Sequence, residues 1–200
     1  MCVLQWLFVP LMKLFVYESK GFQNVPKSGP VIFVANHASY IDGPLIRYFA
    51  EWHAGRLPRG IQSREWLERS WFRKFLFVTL LGQIPTNGST EKAVAALNRG
   101  EAILLFPEGH RSLTGRIEKT GHTGLGVLAA ATKAKVVPVG IEGSFAWWPS
   151  GRALPSFRRC MAVRVGKPVS FAGAPNKKKY LAFQNKVMNT VAKLAKVKIA

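Results

Sequence analysis

The chain has 200 residues, enough for one compact domain with its own hydrophobic core and too few for a second of ordinary size. Hydrophobic residues make up 48% of it, which excludes a disordered tail. The net charge of +19 calls for a polyanionic partner, whether nucleic acid, anionic lipid headgroups or phosphorylated substrates, and does not choose among them.

That charge is uneven. Residues 1–142 carry 17 basic and all 10 acidic residues, whereas residues 143–200 carry the other 12 basic residues and no acid. The two cysteines, Cys2 and Cys160, imply neither a disulfide framework nor a metal-ligand spacing, and a reducing compartment is the simple reading. Cys2 stands beside an apolar run, but its neighbours give no specific support for lipidation.

Residues 3–17 are nearly all apolar, interrupted by Gln5, Pro10 and Lys13. The run is short of the roughly 20 residues a spanning helix needs. It lacks the basic leader and small-residue cleavage site of a signal peptide. Pro10 is expected to kink a helix here or split it in two. The favoured reading is an interfacial anchor, with Trp6 and Tyr17 near headgroups and Lys13 and Lys20 over anionic lipid. The alternative is a core helix capping the domain. Residues 1–20 are therefore expected to form a membrane-associating segment and residues 21–200 the folded domain.

Further on, Val31–Ala35 predicts a buried strand after a Gly-Pro turn. Gly43–Trp52 predicts a short helix, followed by a Gly/Pro/Arg connection through Gly60. Residues 63–81 predict a helical stretch mixing cations with Trp and Phe, a composition that suits a membrane interface or a core helix with solvated cations. Ser89 or Thr90 would cap a helix through Asn98, ended by Gly100. Ala102–Phe106 predicts a second buried strand, and residues 121–134 a small-residue helix. Val136–Ile141 predicts a third strand, in which Pro138 suggests an end, an edge or a bulge. Met161–Val165 predicts a fourth strand and residues 178–198 a helix with Val187, Val191 and Leu194 on its apolar face. Strands alternating with helices imply a single α/β domain, its central sheet mostly parallel or mixed and flanked by helices.

Two polar motifs follow buried strands, where ligand sites of α/β folds lie. The first is Asn36-His37-Ala38-Ser39-Tyr40-Ile41-Asp42. One turn brings the Asp42 carboxylate to the His37 imidazole, where it fixes the tautomer and leaves the other nitrogen as a general base. Asp42 is the only aspartate in the chain. A polar pair stabilising a turn would have the same spacing. Ser39 and Cys160 are conceivable nucleophiles, but direct attack by a substrate hydroxyl on a thioester needs neither. The second motif is Phe106-Pro107-Glu108-Gly109-His110-Arg111-Ser112. Arg111 offers a planar charged fork for phosphate, Gly109 lets backbone approach a ligand, and Glu108 accepts from a substrate hydroxyl or holds Arg111. His53 and His122 have no such context.

Together these motifs resemble the glycerophospholipid acyltransferase family, which includes the lysophosphatidic acid acyltransferases. NHASYID is similar to its NHx4D signature and FPEGHRS to its FPEGTRS block. Gly82-Gln83-Ile84-Pro85 and Val137-Pro138-Val139 are similar to two further blocks, in the same order, and Lys119 with Gly121 matches a common Lys-x-Gly. The resemblance implies that His37 deprotonates the acceptor hydroxyl, that Asp42 orients His37, and that Glu108, Gly109 and Arg111, with Lys119, bind the acceptor phosphate. It implies acyl-CoA or acyl carrier protein as donor, a lipid substrate such as 1-acylglycerol 3-phosphate, an anionic membrane surface as partner and a peripheral or monotopic place on its cytoplasmic face. No metal, no redox cofactor and no nucleic acid is expected. Two departures stand out. The Arg that commonly ends the second block is missing from Gly82–Gly88, and His110 replaces the usual Thr. Acylation of another acceptor, or phospholipid remodelling, therefore stays open, as does a non-enzymatic basic module that binds membrane or nucleic acid.

Overall fold

The computed structural model describes residues 4–80, 82–119 and 121–200. Cys2 lies outside them. In chain order the elements are α1 (Leu4–Lys13), β1 (Val16–Lys20), β2 (Val31–Ala35), α2 (Asp42–Ala54), β3 (Arg59–Ser63), α3 (Arg64–Glu68), α4 (Trp71–Lys74), a π-helical turn (Phe75–Leu80) and β4 (Ile84–Thr86). They continue with α5 (Glu91–Asn98), β5 (Ala102–Leu105), α6 (Gly124–Thr132), β6 (Lys135–Glu142), α7 (Ser144–Trp147), β7 (Met161–Val165) and α8 (Lys177–Ala195).

The strands form one sheet in the order β1-β7-β6-β2-β5-β3-β4. Among the described strands only the β6–β7 pair is antiparallel. Every residue of β2 is buried, as expected of a strand covered on both faces. Its side chains alternate between two cores. Val31, Phe33 and Ala35 pack with Val9, Met12, Leu45 and Phe49 on the α1–α2 side. Ile32 and Val34 pack with Leu97, Leu125, Leu128, Val187 and Val191 on the α5–α6–α8 side.

The α/β expectation holds, and four points differ from it. Residues 16–20 are a strand paired with β7, so the folded sheet begins before residue 21. Helix α1 runs through Pro10 unbroken. It buries Val9 and Met12 while leaving Trp6, Leu7 and Leu11 exposed, so it both caps the core and keeps an apolar outer face. Among the described residues no helix is long and apolar enough to cross a membrane. Residues 63–81 contain two short α-helices and a π-helical turn rather than one helix. Finally, β3 begins in the segment that reads as a connection, and β4 lies in a block that predicts no element, because neither carries a run of β-branched residues.

Pro138 occupies the interior of β6, opposite Val34 of β2. Its carbonyl accepts the Gly166 N–H at 2.8 Å, so its nitrogen also faces the β7 side, where that strand has ended at Val165. Pro138 and Gly166 thus close the β6–β7 ladder with one bond instead of two, and the proline forgoes only the reciprocal bond at the end of that ladder. Two residues later, α8 crosses β6 so closely that a Cβ on Gly140 would overlap the backbone of Leu194 and Ala195. Beside it, the buried Arg164 ties four elements together. It donates to Glu18 at 2.8 Å, to Glu142 at 2.6 Å and to the Leu194 carbonyl at 2.9 Å. Gly140→Ala is expected to push α8 off the sheet and cost roughly 3 kcal/mol, read as a lower urea midpoint.

Candidate active site

The register of the central strands assembles the site. Val34 of β2 pairs with Leu105 of β5 and Ala35 with Val139 of β6, all parallel, so the chain leaves β2 and β5 side by side at one end of the sheet. Asn36 secures the exit. Its side-chain amide donates to the Ile141 carbonyl and accepts the Ile141 N–H, both at 2.9 Å, extending the ladder to β6 by one residue.

His37 follows and is held on three sides. Its Nδ1 lies 3.0 Å from Asp42 Oδ2. Its ring stacks on Phe106, with centroids 4.0 Å apart and planes at 15°. Its backbone is gripped by the loop after β5: the His37 N–H donates to Glu108 Oε1, and the His37 carbonyl accepts from the Ser112 N–H, both at 2.8 Å. Asp42 is fully buried at the start of α2. The same Oδ2 also accepts the Ala38 and Ser39 N–H groups at 2.7 Å each. Three donors and the helix N-terminus hold this carboxylate in place. With the proton on Nδ1 facing Asp42, Nε2 of a ring only 16% exposed is left as a base.

Glu108 lies behind His37, at the buried wall of a cavity on the α8 side. It is 2% exposed, and its second oxygen accepts the Glu118 N–H at 3.2 Å, so both oxygens serve backbone amides. Burial pushes its carboxyl up to about 7; the amides of His37 and Glu118 oppose this and the Asp42 charge adds to it. Gly109 turns the chain at φ +77° and is exposed, a conformation that favours glycine. Arg111 stands on the same loop. Its Nε donates to Ser150 Oγ at 2.9 Å and its guanidinium lies 4.3 Å from the centre of the Tyr40 ring. Exposed Lys119 lines a cavity of about 180 Å³ with Glu108, Glu118, Gln184 and Met188; neither His37 nor Arg111 lines it. The structure thus brings His37, Asp42, Glu108 and the Arg111 loop together and sets Lys119 on the α8 side of Glu108.

Neither conceivable nucleophile is available. Ser39 is fully buried and donates to the Trp148 carbonyl at 2.6 Å. The Cys160 thiol donates to the Gly143 carbonyl, and burial pushes it up, away from thiolate. His53 stacks on Phe22, and its pKa is lowered by burial first and by Lys13 second. Exposed His110 lies 3.0 Å from Glu118. Residues 148–150 lay outside the sequence motifs, yet Trp148 packs on Tyr40 and Ser150 aims Arg111. Nothing local marks them, since their role depends on a long-range contact with the β2 loop.

With this geometry in view, known proteins supply the context. The Acyltransferase family model matches residues 16–142, and the chain belongs to that family. It is 23% identical over 150 residues to a chloroplastic 1-acyl-sn-glycerol-3-phosphate acyltransferase of Brassica napus, covering 73% of this chain and 43% of that protein. An Arabidopsis thaliana protein of the same description is 23% identical over 157 residues, covering 73% and 41%. The chain therefore spans under half the length of these curated relatives. The crystal structure of the Thermotoga maritima 1-acyl-sn-glycerophosphate acyltransferase PlsC shares the fold, with a TM-score of 0.70 and 24% identity over 90% of this chain and 70% of that one.

The buried Glu108 carboxyl has a consequence for stability. A carboxyl whose folded pKa is raised supports the fold fully below its ordinary value of 4.5, and that support is lost as pH rises through about 7. Urea unfolding of wild type and Glu108→Gln across this window should show their difference in stability narrowing by roughly 3 kcal/mol toward the alkaline end. A constant gap would mean that the group does not titrate there.

Proposed function

We propose that this chain transfers a fatty acyl group from acyl-CoA or acyl carrier protein to the hydroxyl of a lysophospholipid such as 1-acylglycerol 3-phosphate, at a membrane surface. The observation that carries the reading is the His37–Asp42 contact, with the Arg111 loop bonded to the same histidine. Both plant relatives are 1-acyl-sn-glycerol-3-phosphate acyltransferases, which supports this acceptor.

The acceptor hydroxyl lies against Nε2 of His37 and gives up its proton as its oxygen attacks the thioester carbonyl. Asp42 orients the ring and stabilises the imidazolium that forms. Collapse of the tetrahedral intermediate expels the thiolate, which takes the proton back from His37. No acyl-enzyme intervenes. Arg111 and the turn at Gly109 receive the acceptor phosphate, whereas Lys119, which lines a separate cavity on the α8 side of Glu108, stands apart from that grip. Glu108 acts indirectly, by fixing the His37 backbone. The exposed apolar face of α1 and the excess of basic residues support a peripheral or monotopic place on the anionic cytoplasmic face of a membrane.

His37→Ala should fold normally and lower kcat by about 10²–10⁴-fold or more, as loss of a general base does. The assay crosses lysophosphatidic acid, glycerol 3-phosphate and other lysolipids with CoA and carrier-protein donors. A fully active His37→Ala would end the mechanism. Arg111→Ala should chiefly raise KM for phosphate-bearing acceptors, by about 10–100-fold, while a neutral acceptor is little affected.

A further inference from the structure

At the β3–β4 edge of the sheet, away from the catalytic loops, lies a second cavity of about 200 Å³. Leu67, Val78 and Pro85 give it apolar walls, and Arg64, Lys74, Lys92 and Glu68 its charges. Glu68 accepts from Arg64 at 2.7 Å, and this bond chiefly holds its carboxyl below the usual range, with Lys74 acting in the same direction. The single acid is thus already paired, and the lining keeps a positive excess. Beside it, α4 and the turn after it hold three large aromatic side chains in water: Trp71 at 80% exposure, Phe72 at 56% and Phe75 at 53%. A cluster of this kind signals a partner.

The combination selects the partner's chemistry. A soluble anion would use the cations and leave the aromatic rings in water. An apolar peptide would cover the rings and strip water from Lys74 and Lys92 without compensation. An anionic phospholipid satisfies both, because its phosphate and its acyl chains are joined in one molecule.

We propose that this cavity binds the headgroup of an anionic phospholipid while Trp71, Phe72 and Phe75 enter the bilayer beside it. The proposal rests on the membrane-surface part of the reading above and not on acyl transfer. It adds a second contact to that of α1, so that the membrane fixes the orientation of the domain as well as its proximity.

The test measures binding of the full-length protein to vesicles of phosphatidylcholine alone and of an equimolar mixture with phosphatidylglycerol. Lys74→Ala/Lys92→Ala should bind the anionic vesicles about 30-fold more weakly and the neutral ones unchanged. Trp71→Ser/Phe72→Ser/Phe75→Ser should bind both more weakly, with an unaltered circular dichroism spectrum. Lipids brominated on their acyl chains should quench tryptophan fluorescence less in Trp71→Phe than in wild type. Equal quenching would overturn the proposal. So would an equal loss in Lys177→Ala/Lys178→Ala, which removes the same charge from α8 and would mean a diffuse field rather than a site. Binding of coenzyme A that depends on Lys74 and Lys92, without such dependence on vesicles, would assign the cavity to a soluble phosphate and also overturn it. His37→Ala should bind vesicles as wild type does, which separates this outcome from that of the catalytic reading.

Discussion

Everything chemical in this molecule depends on how the backbone of one residue is held. His37 stands at the point where a buried strand gives way to a loop, and loops at strand ends are ordinarily mobile. Here its N–H and its carbonyl are both bonded to the segment after β5, while its ring is bonded to Asp42 and stacked on Phe106. Backbone and side chain are thus fixed independently. The general-base role proposed for His37 needs such fixing, since small errors in position cost large factors in rate.

The grip requires two buried carboxyls in one small region, and the structure stabilises them differently. Asp42 concentrates three donors on a single oxygen at the start of a helix. Glu108 has one amide on each oxygen, and burial outweighs them, aided by the neighbouring Asp42 charge. One carboxylate therefore aims the ring and the other braces the chain behind it. The sheet makes this arrangement possible. β2 and β5 run parallel and in register, so the residues after Ala35 and Leu105 emerge beside each other.

The large positive charge is put to more than one use. Arg164 is spent inside the fold, joining β1, β6, β7 and α8 through two carboxylates and a carbonyl. Arg111 is held on Tyr40 and Ser150. Lys177, Lys178 and Lys179 stand exposed in the first turn of α8, where a helix would favour acids, so they serve the outer field rather than the fold. The charge count alone could not separate these roles.

By itself, the sequence determined the strands Val31–Ala35 and Met161–Val165, the helix after Asp42 and the pairing of His37 with Asp42. Each follows from local rules: apolar runs of strand length, and a spacing that one turn closes. It also singled out both polar motifs at the strand ends, because each is contiguous in the chain. What tertiary structure decided was everything set by register and long-range contact. The strand at residues 16–20 looked like part of an apolar anchor, since only its partner β7 makes it a strand. Pro138 left an end, an edge or a bulge open, because its sequence does not say which neighbour its nitrogen faces. Glu108 looked like a ligand for substrate, and Trp148 and Ser150 like nothing in particular. Their partners are 71, 109 and 39 residues away along the chain, and only the folded sheet brings them within hydrogen-bonding distance.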